Sequence, residues 1–124
     1  MTRRDTGFPA DVVEQIWIRD GGCCARCGRG LVRADRGGSW AIHHREPRGR
    51  GGAGKRRTWV NLAANGVCLC TGCHDWVEKH RAEAVEQGWL VSAIRTLRPV
   101  DVPVVHVRFG VVRLTNEGGT EKAA

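Results

Sequence analysis

Apolar residues recur at helical spacing near the N-terminus of the chain. The pattern predicts a short helix that Asp11 caps and that Gly21-Gly22 ends. Four apolar residues lie on one side of this helix: Val12, Val13, Ile16 and Trp17. Residues 1–9 precede the helix and are expected to form a flexible arm.

Three further segments have the patterns of two strands and a helix. Residues 39–44, Ser-Trp-Ala-Ile-His-His, predict a first strand, and residues 67–69 predict a second one. Residues 73–87 predict a helix that Gly88 ends. The apolar side of this helix is expected to contain Trp76, Val77, Ala84 and Val85.

The C-terminal quarter of the chain has a strand-like pattern. Residues 101–107 predict an extended segment, and residues 111–114 predict a further strand. The polar, glycine-rich residues 116–124 are expected to fray. The length of 124 residues suits a single domain, with a core at about residues 11–95. The elements together predict an α+β fold with an N-terminal helix and a C-terminal strand extension.

Positive charge is concentrated between the two predicted strands. The chain has a net charge of +7 and a pI of about 9.7. Residues 45–57 contain four glycines, one proline and six basic residues against one acidic residue, which predicts a loop. The basic side chains are candidates for contacts with DNA phosphates: Arg45, Arg48, Arg50, Lys55, Arg56 and Arg57. Trp40 and Trp59 are interpreted as core residues rather than as platforms for bases.

The apolar runs of the sequence bear on its compartment. No run is long enough to span a bilayer, and the first residues lack the apolar stretch of a secretory signal. A cytoplasmic location without a membrane partner is therefore expected. Cysteines stay reduced there, so spaced pairs are interpreted as metal ligands before disulfides.

Two pairs of cysteines share a two-residue spacing, Cys24-x2-Cys27 and Cys70-x2-Cys73. Each pair can present two thiolates from one turn, and four thiolates suit tetrahedral zinc. The sequence therefore predicts a structural Zn²⁺ site that holds the intervening segment in place. Cys23 and Cys68 could replace Cys24 or Cys70 only with poorer spacing, and are interpreted as small core residues.

Four of the five histidines lie beside these cysteines: His43, His44, His74 and His80. Successive residues of a strand point to opposite faces, so His43 and His44 can serve different purposes. Glu78 follows His74 by four residues and shares its helical face. His43, His74 and Glu78 are therefore candidates for a second metal site.

The order of these motifs resembles the HNH nuclease family, and in particular the small HNH endonucleases of bacteriophages. The match runs from Cys24-x2-Cys27 through His43-His44, the basic loop and Asn65 to Cys70-x2-Cys73-His74, and covers about residues 24–88. The resemblance implies a ββα-metal core of the His-Me finger type, in which two strands and a helix grip a divalent ion.

The resemblance also implies roles for the matching residues. His43 and His74 would bind the catalytic ion, which could be Mg²⁺, Mn²⁺, Ni²⁺ or Zn²⁺. His44 would be the general base, and Asn65 would brace the loop and orient that base. Asn61 is the alternative to Asn65.

The third ligand of the catalytic ion stays open at this point. Glu78 stands where some members of the family have a further histidine. His80 lies two residues farther on, rotated about 200° around the helix, and is ranked below Glu78.

The activity implied by the resemblance is metal-dependent hydrolysis of DNA phosphodiester bonds, with 5′-phosphate and 3′-hydroxyl products. Nicking and double-strand cleavage both stay open, as does the oligomeric state. A phage-encoded enzyme would work in the host cytoplasm, with terminase or packaging proteins as candidate partners. The alternative functions are a non-catalytic zinc-ribbon module that binds nucleic acid and a phage packaging adaptor. The paired histidines argue against the first, and the basic loop argues against the second.

Overall fold

The computed structural model describes residues 7–47, 58–92 and 97–123. Its helices are α1 (Ala10–Asp20), α2 (Thr71–Lys79) and α3 (Arg81–Gln87). Strands β1 (Trp40–His44) and β2 (Gly66–Cys70) pair in antiparallel orientation, with His44 opposite Gly66. Strands β3 (Val104–His106), β4 (Gly110–Leu114) and β5 (Thr120–Lys122) form a second antiparallel sheet in that order. The predicted mixture of helices and strands is confirmed.

Strand β2 lies between the two clusters of buried side chains. Val67 and Leu69 belong to one cluster, with residues of α2, β3 and β4, whereas Cys68 belongs to the other, with residues of α1 and β1. Side chains of a strand alternate between its faces, so a strand covered on both faces is an uninterrupted buried run. The second predicted strand is confirmed and is one residue longer at each end.

Helix α1 packs against the beginning of β2. A Cβ on Gly66 would lie 2.5 Å from Cδ1 of Ile16, so glycine permits this close approach. Gly21 ends the helix in the left-handed conformation, at φ 70°, as predicted. The predicted cap was wrong: the helix follows Pro9, whose backbone is extended, and Asp11 lies in the first turn.

The position of Phe8 shows that the expectation of a flexible arm at residues 1–9 was partly wrong. Its side chain is buried in the cluster formed by α1 and β1. An apolar ring anchored in this way fixes the chain just before α1, so Gly7 to Pro9 belong to the folded part.

Residues 71–87 form two helices instead of the predicted single one. The break is at His80, whose backbone leaves the helical region at φ −126° and ψ 57°. The imidazole of His80 stacks on Trp76, and its Nδ1 donates to the Trp76 carbonyl at 3.1 Å. Past the break Ala84 is buried but Val85 is exposed, so the predicted continuous apolar side was wrong.

The second sheet corrects the expectation of a frayed C-terminus. Residues 120–122 form β5, in which Thr120 pairs with Leu114 and Lys122 with Val112. Gly118, at φ 90°, lies in the turn that brings this strand back to β4. The strand predicted at residues 111–114 is confirmed.

Arg45 was expected to contact DNA, and the structure contradicts this. Its side chain is fully buried and donates hydrogen bonds to four backbone carbonyls, those of Ala64, Gly88, Pro99 and Val102. Carbonyls from three separate segments therefore converge on one guanidinium. A guanidinium has five N–H donors in a fixed plane and suits this task. Arg45 is a structural cross-link, not a phosphate contact.

A second buried cation links α1 to the second sheet. Arg19 donates to both carboxylate oxygens of Asp20, at 2.8 and 3.1 Å. Nε2 of His106 lies 2.8 Å from Asp20 Oδ1, and the backbone N–H of Cys68 donates to Oδ2. Burial alone would raise the pKa of Asp20, but the adjacent Arg19 charge and these donors lower it below its usual value. The carboxylate therefore stays ionised in the interior.

None of the helices within residues 7–47, 58–92 and 97–123 has both the length and the apolar composition that a membrane span requires.

We expect replacement of Arg45 by methionine to destabilise the protein strongly. The substitution leaves buried carbonyls without donors, which costs about 3 kcal/mol or more of unfolding free energy. Urea denaturation followed by circular dichroism measures the loss. The matched control is Arg29→Met, because Arg29 is exposed, and it should change stability by less than about 0.5 kcal/mol. Equal stability of both variants would contradict the assignment.

Candidate functional site

Four cysteine sulfurs meet where β2 becomes α2. The sulfurs of Cys24, Cys27, Cys70 and Cys73 all lie within 4.8 Å of one another. Those of Cys27 and Cys70 are 3.8 Å apart. Tetrahedral zinc with Zn–S bonds of about 2.3 Å places its sulfurs about 3.8 Å apart. The predicted grouping of these cysteines is confirmed, and the cluster can hold a structural metal ion such as zinc.

Backbone hydrogen bonds position the first cysteine pair. Gly28, at φ 83°, donates its N–H to the Cys24 carbonyl at 2.9 Å and closes the turn. Ala25 donates its N–H to the Cys68 carbonyl at 2.7 Å, which ties this turn to β2. The second pair spans the last residue of β2 and the first turn of α2. The protein backbone therefore brings the four thiols together by its own hydrogen bonds.

The two remaining cysteines have different environments. Cys68 is fully buried among residues of α1 and β1, as expected for a core residue. Cys23 is half-buried, and its Sγ lies 3.5 Å from the Gly21 carbonyl, so its assignment to the core was wrong. Neither belongs to the four-sulfur cluster.

We expect the purified protein to contain about one zinc ion per chain, because four thiolates complete one tetrahedral site. Cys73→Ala should lose this zinc and lower the free energy of unfolding. Cys23→Ala is the control and should keep the wild-type zinc content and the wild-type free energy of unfolding. Elemental analysis after gel filtration measures the zinc content. Full zinc retention in Cys73→Ala would show that the cluster does not bind it.

A cavity of about 320 Å³ lies between β1 and α2. It is lined by His43 and His44 from β1, by His74, Glu78 and Arg81 from the helices, and by four further residues, Ala41, Ile42, Pro47 and Leu90. The ring centroids of His43 and His74 are 5.2 Å apart, at an angle of 67°. The structure thus brings together the three histidines that the sequence analysis singled out first.

His43 is held in one tautomer. Its ring is buried, and Nε2 lies 2.7 Å from the Trp89 carbonyl, so Nε2 carries the proton and donates it. Burial lowers the pKa of His43 to about 4, although the Trp89 carbonyl opposes this shift and the neighbouring His74 adds to it. The imidazole is therefore neutral at pH 7, and Nδ1 holds its lone pair. A histidine that donates one ring N–H to a carbonyl is oriented as metal-binding histidines are.

His44 is held from two sides. Its ring stacks on Phe8, with centroids 4.1 Å apart and planes 19° apart. Its Nε2 donates to Oδ1 of Asn61 at 3.1 Å. This contact makes Nδ1 the basic nitrogen of the ring.

The role predicted for Asn65 is divided between two asparagines. Asn65 is fully buried and exchanges two hydrogen bonds with the Glu46 backbone, of 2.7 and 3.0 Å. It also donates to the Val60 carbonyl. Asn65 thus braces the chain that follows β1, as expected, but Asn61 orients His44. Both asparagines were considered from the sequence as alternatives, and residue spacing gave no signal that each has its own task.

The structure also bears on Glu78 and His80, the two candidates for a third ligand. Glu78 lines the cavity, but its Oε1 accepts a hydrogen bond from Arg81 at 3.1 Å. His80 stacks on Trp76 and does not line this cavity. Within the part of the chain that the structure describes, the four cysteines form the one group of three or more metal-binding residues that lie close together. His43, His74 and Glu78 are neighbours without forming such a group.

The remaining candidates for DNA contacts fall outside the described residues: Arg48, Arg50, Lys55, Arg56 and Arg57. Trp40 is buried and donates its indole N–H to the Val32 carbonyl, as expected for a core residue. Trp59 is half-buried and donates to Glu46 at 2.9 Å.

No protein-family model, curated protein or solved structure matches this chain.

We expect the buried, neutral His43 to make the protein less stable at low pH. Between pH 6.5 and about 4 the unfolded chain binds a proton at this residue and the folded chain does not, so the unfolding free energy falls as the pH falls. The loss is about 3 kcal/mol at most. Chemical denaturation at several pH values should show a shallower slope for His43→Gln. His80→Gln, at an exposed position, is the control with the wild-type slope. Identical slopes for all three proteins would contradict the burial of a neutral His43.

Proposed function

We propose that this protein is a metal-dependent DNA endonuclease of the HNH type, stabilised by a structural zinc ion. One observation carries the proposal: β1 and α2, the helix that directly follows the antiparallel strand pair, line one cavity with His43, His44 and His74. This is the order of elements that the resemblance of the sequence to the HNH family implies. A zinc ribbon held by four cysteines needs none of these histidines.

The catalytic ion would be held by Nδ1 of His43 and by His74. Two imidazoles leave coordination positions open for a phosphate oxygen and water, which a catalytic site requires. When bound, a divalent ion supplies Lewis-acid stabilisation of the negative charge on the phosphate and on the leaving oxygen. Imidazole ligands accept Mn²⁺, Ni²⁺ or Zn²⁺, and Mg²⁺ would depend more on oxygen ligands. Glu78 could add a carboxylate only by leaving Arg81.

His44 would act as the general base. Oδ1 of Asn61 accepts a hydrogen bond from Nε2–H and the Phe8 ring covers one side of the imidazole, so the ring is oriented before substrate binds. Nδ1 would take a proton from a water molecule while the oxygen of that water attacks phosphorus. The bond between phosphorus and the 3′ oxygen would then break. The products are a 5′-phosphate and, after protonation, a 3′-hydroxyl.

DNA suits the charge of the chain. The net charge of +7 favours a polyanion, and Arg81 places a cation at the edge of the cavity. The basic side chains between Arg48 and Arg57 would add contacts to phosphates that do not depend on sequence. A role in phage DNA metabolism in the host cytoplasm, with packaging proteins as partners, is the setting that the family resemblance suggests.

The decisive experiment is cleavage of supercoiled plasmid with EDTA, Mg²⁺, Mn²⁺, Ni²⁺ or Zn²⁺. We expect nicked or linear DNA only when metal is present. His44→Ala should lower the rate at least about 100-fold, because it removes the general base, without loss of the structural zinc. His80→Ala is the matched control and should cleave at nearly the wild-type rate.

Two results would contradict the proposal. Cleavage by His44→Ala at the wild-type rate would remove this residue as the base. DNA binding by the wild-type protein without cleavage in any metal would favour the alternative, a zinc-ribbon binding module, which the four-cysteine cluster alone would also suit.

A further inference from the structure

Arg26 lies between the two cysteines of the first pair and contacts the second pair. Its Nη1 is 3.3 Å from Sγ of Cys73, within the range of an N–H···S hydrogen bond. Arg26 is half-buried, so water screens this contact less than it would at an open surface. Arg26, from the turn of the first cysteine pair, thus donates to the sulfur of Cys73 in the first turn of α2.

Trp76 holds the guanidinium in this position. The Cζ atom of Arg26 lies 3.7 Å from the centroid of the Trp76 ring, which is a close cation–π contact. Trp76 is itself steadied by the stacked imidazole of His80, with ring planes 14° apart. The planar guanidinium can stack on the ring while its N–H groups point to an acceptor, which an ammonium group does less well.

The charge of the cluster explains what this contact does. Four thiolates around one divalent cation leave an excess of negative charge. A positive group that donates a hydrogen bond to one thiolate offsets part of this charge and favours the metal-bound state over the metal-free thiols. Outer partners of this kind commonly change metal affinity by about 10- to 100-fold.

We propose that Arg26 is an outer partner of the metal bound by the four cysteines, holding Cys73 through a charge-assisted N–H···S bond that Trp76 orients. The proposal depends on the zinc site of the proposed function, but not on nuclease activity.

The test measures zinc affinity at pH 7 by competition with a chromophoric chelator of known affinity. We expect Arg26→Leu to weaken zinc binding at least about tenfold. Arg26→Lys keeps the charge and an N–H donor but loses the planar stacking group, so it should recover part of this loss. Arg29→Leu, at an exposed position two residues after the same turn, is the matched control and should bind zinc like the wild type.

A second variant keeps the test decisive if Arg26→Leu does not fold. Trp76→Leu leaves the arginine in place but removes its platform, and should weaken zinc binding severalfold. In the cobalt-substituted protein, the same variants should shift the sulfur-to-cobalt charge-transfer band, which reports on the thiolates directly. Wild-type zinc affinity in either folded variant would overturn the proposal, as would a lysine variant no better than the leucine variant. A wild-type protein that takes up no zinc would remove the metal site itself, whatever the outcome for nuclease activity.

Discussion

The four-sulfur cluster is the constraint on which the candidate site depends. It joins the turn at residues 24–27 to the point where β2 ends and α2 begins. The orientation of α2 relative to the strand pair decides whether His74 faces His43. Chelation of one ion by four thiolates can contribute several kcal/mol to a domain of this size. The contact of Arg26 with Cys73 and Trp76 adds a second tie between the turn and the same helix.

The properties of His43, on β1, depend on the burial of its ring. His43 stays neutral because desolvation opposes the imidazolium more strongly than the Trp89 carbonyl supports it. The same carbonyl accepts a hydrogen bond from Nε2–H, and the ring therefore has one tautomer, with its lone pair on Nδ1. His44, one residue later on the opposite face of β1, is half-buried and contacts Asn61 and Phe8. One strand thus supplies two histidines with separate environments, the proposed ligand and the proposed base.

Local patterns in the sequence predicted much of this arrangement. Periodicity found α1 and both central strands, because neighbours in sequence decide these elements. The two-residue spacing within each cysteine pair marked the four members of the cluster, although the pairs themselves are far apart in sequence. Long-range contacts decided the rest. Arg45 looks like part of a basic loop, yet carbonyls as distant as that of Val102 bury it. The break at His80 and the pairing of β5 with β4 also depend on partners that periodicity does not record. Asn61 and Asn65 could be named as candidates, but only the fold separates their tasks.

The central claim is that His43 and His74 share a second divalent ion that the four cysteines do not bind. The most direct measurement is an NMR titration in which substoichiometric Mn²⁺ is added to the zinc-loaded protein and the histidine ring signals are followed. A paramagnetic ion broadens the signals of the nuclei near it. The account predicts that the signals of His43 and His74 broaden before those of His80 and His106. Broadening that begins at His80, or that spares the rings of His43 and His74 altogether, would contradict it.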